Sequence, residues 1–155
     1  MGSTPTLGTI MKKLFNKPIR ILLATNALIL LAGAMLGPIY ALFVDRIGGD
    51  LLDASLAVSF FAIAAGLTTL ISGKYSDRLK ESELIVVLGY STMGAGFLAY
   101  TLVSTVWTLF IVGIVIGLGE AIYAPAFDKI YSLHTPLKKA GRIWGAWEAL
   151  DYFTL

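Results

Sequence analysis

Three carboxylates stand in stretches otherwise built for lipid: Glu120, Glu148 and Asp151. A charge within a hydrocarbon layer is costly, so an acid placed there marks a path for a proton, an ion or a polar solute. Glu120 is flanked by Gly119 and Ala121, seven residues before Phe127. At 1.5 Å per residue this sets it about 10 Å inside the end of its apolar run. Trp144, Glu148 and Asp151 fall at i, i+4 and i+7, so one helical face carries both of the later acids. Two readings of that face stand. The acids face a water-filled cavity and bind protons or a cationic substrate, or they lie near the membrane interface and pair with Lys138, Lys139 or Arg142.

The elements that hold these acids follow from composition and charge order. The chain has 155 residues, 57% hydrophobic and 14% charged, with a mean hydropathy of +0.79. Soluble domains run nearer 45–50% apolar and about 25% charged. One soluble core could not hide this much apolar surface, and lipid is the expected solvent. Eleven of the twelve basic residues form three clusters: Lys12, Lys13, Lys17 and Arg20, then Lys74, Arg78 and Lys80, then Lys129, Lys138, Lys139 and Arg142. Two long apolar runs separate each cluster from the next, which is the positive-inside order of a polytopic membrane protein with a cytoplasmic N-terminus. The expected class is all-α, because unpaired backbone in lipid is costly and the pattern lacks the alternation of a barrel.

The expected spans cover residues 21–44, 51–72, 84–103 and 106–127, with a fifth beginning near 141 and cut off at 155; residues 1–18 form a cytoplasmic tail. Runs of 20–24 residues match a hydrocarbon core of about 30 Å. Glycine pairs at four-residue spacing, Gly33/Gly37, Gly113/Gly117 and Gly141/Gly145, favour close helix packing. Pro38 and Pro125 each remove a helical hydrogen bond and are expected to bend their spans. Ile39-Tyr40-Ala41 with Asp45-Arg46-Ile47 is matched at equal spacing by Ile122-Tyr123-Ala124 with Asp128-Lys129-Ile130. Spans 1 and 4 would begin equivalent units of an inverted repeat, as in transporters.

Other chemistries find little support. With no cysteine there is neither a disulfide nor a Cys-ligated metal, and the single His134 sits in a basic loop without His or Cys partners. No cofactor or metal is expected. No basic-aromatic stripe suggests nucleic acid. No Ser-His, Cys-His or ligand cluster suggests an enzyme.

The loop Gly73-Lys74-Tyr75-Ser76-Asp77-Arg78, between spans 2 and 3, resembles the cytoplasmic signature of the major facilitator superfamily: a glycine, three residues, then Asp-Arg or Asp-Lys. The Gly48-Gly49 turn after span 1 is similar to that family too. So is Gly117-Leu118-Gly119-Glu120-Ala121, followed by Ala124-Pro125-Ala126. The resemblance covers residues 19–155 and implies a membrane helix bundle with about 4.5 of twelve transmembrane helices. It implies a gating motif of Gly73, Asp77 and Arg78, in which Asp77 caps a helix of the second half; a carboxylate there meets the helix dipole favourably. Asp128, on the same side, would join a charge network with Arg78. The family usually carries an Arg four positions after the motif Asp; here that position is Glu81, with Lys80 beside it.

The expectation is therefore the amino-terminal part of a secondary transporter in the cytoplasmic membrane, working by alternating access. Proton-coupled efflux is one mode that fits, with Glu120, Glu148 and Asp151 as the proton or substrate candidates; the sequence sets neither the direction of transport nor the coupling ion. Its expected partners are the lipid bilayer, a small-molecule substrate and the missing C-terminal half of the same transporter. A small multi-span scaffold or assembly subunit is the alternative, although it would need neither an intramembrane acid nor a gate motif.

Overall fold

The computed structural model describes residues 15–76 and 81–154. Among these every regular element is helical. Helix α1 covers Lys17–Leu36, a 3-10 turn Gly37–Ile39 follows, and α2 covers Tyr40–Arg46. Helix α3 covers Leu51–Ser76 and α4 covers Ser82–Ala99, the latter continued by a 3-10 turn at Tyr100–Leu102. Helix α5 covers Val106–Leu133, and after a 3-10 turn at Leu137–Lys139, α6 covers Ala140–Thr154. Among the described residues four stretches are long and apolar enough to cross a membrane: Lys17–Arg46, Leu51–Lys74, Ser82–Leu102 and Val106–Leu133.

Helix ends differ from the expected spans where polar residues still favour helix. Helix α3 continues through Gly73 and Lys74, so the signature begins inside a helix rather than in a loop. Helix α5 runs six residues past the expected end at Phe127, which puts Asp128 and Lys129 within the helix. Intrahelical hydrogen bonds need no lipid, so an apolar run marks the buried length of a helix and not its end.

The two prolines act differently. At Pro38 the α-helix gives way to a 3-10 turn before α2 begins. Pro125 lies inside a continuous α5.

The described chain divides into two compact units: the residues up to Ala34 together with those from Tyr131 onward, and Met35–Ile130. In the larger unit the turn after α2 is tight. Gly48 has a φ of +82°, a left-handed conformation that suits glycine. The Gly49 N–H donates to the Val44 carbonyl at 3.0 Å. Asp50 and Asp53 then cap α3 reciprocally: the Asp53 N–H donates to Asp50 Oδ1 at 2.9 Å, and the Asp50 N–H to Asp53 Oδ2 at 3.0 Å. Helix α3 meets α5 partly through the Phe60 and Phe110 rings, 5.1 Å apart.

In the smaller unit, Asn16 caps α1 by accepting the Ile19 N–H at 3.1 Å, while its Nδ2 donates to the His134 carbonyl at 2.8 Å. Ile19, Leu22, Leu23 and Asn26 form the buried face of α1, at the i, i+3, i+4, i+7 spacing of one helical stripe.

Candidate functional site

Glycines bring α5 into backbone contact with two neighbours. A Cβ on Gly113 would lie 3.3 Å from the Ala57 carbonyl oxygen, and one on Gly117 would lie 2.6 Å from that of Phe61. These two residues, four apart, make the face toward α3. Toward α4, a Cβ on Gly119 would lie 2.9 Å from the Met93 nitrogen, and one on Gly89 would lie 2.7 Å from the Tyr123 nitrogen. The Tyr90 and Tyr123 rings continue that contact at 4.6 Å. The other two expected glycine pairs behave differently: a Cβ on Gly33, Gly37, Gly141 or Gly145 meets nothing within 4 Å among the described residues.

Glu120 sits at the seam of these two contacts. At about 100° per residue, its direction falls between the face of Gly113 and Gly117 and the face of Gly119 and Tyr123. It is half-buried there. A half-buried acid between two close-packed helices can exchange a proton or hold a cation while its neighbours stay apolar.

Ser72, which has no charge to single it out in the sequence, reaches the same turn. Its Oγ donates to the Ala121 carbonyl at 2.5 Å. Ala121 is four residues before Pro125, so its carbonyl is the one that the missing proline N–H leaves without a helical donor. The signal was present: a proline within a span orphans a known carbonyl, and a hydroxyl on a neighbouring span is the natural replacement.

The signature residues are reached in part. Gly73 is half-buried in the last turns of α3, and a Cβ on it would meet nothing within 4 Å. Asp77 and Arg78 lie outside the described residues. Asp128 is exposed on α5, eight residues beyond Glu120, or about 12 Å along the axis. Gly73, Glu120 and Asp128 share the larger unit.

Glu148 and Asp151 belong to the smaller unit, on α6, where Glu148 is exposed and Asp151 half-buried. The helix is held by its aromatic side. The Trp144 ring lies 5.0 Å from Tyr131 and 5.8 Å from Trp147. The buried Tyr131 hydroxyl donates to the Ile143 carbonyl at 2.5 Å. A second uncharged polar group that the charge pattern does not single out is Asn26, 3% exposed in the middle of an apolar helix, with its Nδ2 lacking a hydrogen-bond partner among the described residues.

The family model described as Major Facilitator Superfamily matches residues 22–154. An uncharacterized MFS-type transporter of Bacillus subtilis is 23% identical over 140 residues, covering 90% of this chain and 35% of the relative. The multidrug resistance protein MdtG of Salmonella typhimurium is 27% identical over 128 residues, covering 79% of this chain and 31% of the relative. An uncharacterized MFS-type transporter of Methanocaldococcus jannaschii is 25% identical over 130 residues, covering 84% of this chain and 33% of the relative. The chain thus spans about a third of the length of these relatives. No solved structure gives a significant match to the chain.

Proposed function

The chain belongs to the major facilitator superfamily, and from that premise we propose that it supplies the first spans of a secondary transporter that exports a small solute by alternating access. It is an integral membrane protein, and among the described residues four helical stretches are long and apolar enough to cross the bilayer. The three basic clusters support a cytoplasmic N-terminus and a cytoplasmic Gly73 end of α3. The chain works against a second half of the same transporter, and the two halves rock about a site near the bilayer midplane. The name of the Salmonella relative, a multidrug resistance protein, supports export of a drug-like solute.

The observation that carries this reading is the place of Glu120. An ionised carboxylate needs water or a cation beside it, whereas a neutral one can be enclosed by apolar helices. Proton binding at the seam of α3, α4 and α5 therefore biases that crevice between hydrated and closed arrangements. Glu148 and Asp151 on α6 are the further proton or cation candidates. Gly73, Asp77, Arg78 and Asp128 form the cytoplasmic gate, with Asp77 capping a helix of the second half.

The test is efflux of lipophilic cationic dyes from cells expressing the natural gene, compared with Glu120→Gln and Asp77→Asn. Each substitution is expected to lower the efflux rate about tenfold, equivalent to 1.36 kcal/mol in the barrier. Wild-type efflux in both variants, at wild-type abundance in the membrane, sinks the assignment.

A further inference from the structure

Pro125 lies well inside α5, and the helix runs from Val106 to Leu133 without a break. Proline removes the N–H that would bond the Ala121 carbonyl, and no water is at hand in lipid to replace it. The replacement comes from 49 residues earlier in the chain, where Ser72 Oγ donates to that carbonyl at 2.5 Å. A hydroxyl has one proton to give. The competing acceptor within α3, the Thr69 carbonyl, is more distant at 3.3 Å. Pro38 supplies the internal contrast. No side-chain donor reaches the Ala34 carbonyl among the described residues, and there α1 stops at Leu36 in favour of a 3-10 turn.

We infer that Ser72 is a positioning residue, whose hydroxyl stands in for the backbone N–H that Pro125 lacks and so sets where Glu120 lies in the seam. The bond joins the residue immediately before Gly73 to the residue immediately after Glu120. Movement of the signature end of α3 is thereby passed to the turn of α5 that carries the acid. The glycine contacts at Gly113 and Gly117 hold α5 against α3 only on the other side of Glu120. The inference rests on the reading of Glu120 as the transport carboxylate, but its test needs no transport.

The chain contains no cysteine, so a single Ala124→Cys reporter is unique within it once any cysteine of the second half is replaced by serine. Ala124 is half-buried, one turn beyond Glu120 on the same side of α5. The measurement is the rate of maleimide labelling in membranes. Ser72→Ala is expected to speed labelling about fivefold, the scale of one lost hydrogen bond, while Ser72→Thr keeps the slow rate. Pro125→Ala restores the backbone donor. In that background Ser72→Ala should change the rate by less than about twofold, because the two donors serve one carbonyl.

An equal effect of Ser72→Ala in both backgrounds, or no effect beside Pro125, overturns the inference. Should Ser72→Ala fail to accumulate, rescue of its abundance by Pro125→Ala supports the inference, and no rescue overturns it. Loss of the transport reading in the dye assay would leave this labelling cycle standing. Failure of the cycle would in turn leave the Glu120→Gln result intact.

Discussion

Gly89 and Gly119 occupy each other's side-chain space. A Cβ on Gly89 would lie 2.7 Å from the Gly119 carbonyl oxygen, and a Cβ on Gly119 would lie 3.0 Å from the Gly89 carbonyl oxygen. The obstacle on both sides is backbone, which cannot swing aside as the tip of a side chain can. This mutual approach fixes the distance between α4 and α5 one residue from Glu120.

Either Gly89→Ala or Gly119→Ala should therefore push the two helices apart. The expected cost is about 1–3 kcal/mol, the range for overpacking a well-filled contact, read as a lowered thermal midpoint in detergent. Gly94, on the same α4, is the control, since a Cβ there meets nothing within 4 Å. Gly94→Ala should be neutral or slightly stabilising, because alanine is the better helix former. Equal losses at Gly94 and Gly119 would contradict the packing described.

The turn between α2 and α3 makes a second expectation. Gly48 has a φ of +82°, so Gly48→Ala should cost about 1–2 kcal/mol from the left-handed backbone alone. Asp50→Ala, which removes the acceptor for the Asp53 N–H, should cost about 1 kcal/mol as a lost cap. Asp50→Asn keeps an acceptor and should retain most of the stability. Thermal unfolding of the three variants distinguishes these effects, and an Asp50→Asn loss as large as that of Asp50→Ala would argue against the cap.

Tyr131 offers a local test in the smaller unit. Its buried hydroxyl donates to the Ile143 carbonyl, and its ring packs against Trp144. Tyr131→Phe keeps the ring and removes the bond, worth about 1 kcal/mol. Amide hydrogen exchange across α6 should quicken about fivefold as that segment opens more often, while exchange across α3 stays at its original rate. Uniform acceleration in both helices would mean that Tyr131 acts on global stability instead.

Much of the frame was legible before any coordinates. The face shared by Glu148 and Asp151 followed from helical spacing, and one helix, α6, carries both. Three glycine pairs had the same spacing, yet only Gly113 and Gly117 lie against another backbone among the described residues. Spacing states which side of a helix is small; it does not state what comes to rest there. The two prolines make the same point. Pro38 and Pro125 each lie in an apolar run, but the α-helix persists only at Pro125, where a hydroxyl from another helix reaches the freed carbonyl.

What the sequence by itself determined is therefore one-dimensional: the number and length of the apolar runs, the order of the basic clusters and the helical class. These follow from matching 1.5 Å of rise per residue to the thickness of a bilayer and from the cost of unpaired backbone in lipid. Only the tertiary structure decided which glycines meet a neighbour, that Glu120 lies between two helix contacts, and that Ser72 serves the Ala121 carbonyl. Those outcomes join residues as far as 49 positions apart, and they depend on how close the backbones come, a distance that no local pattern contains.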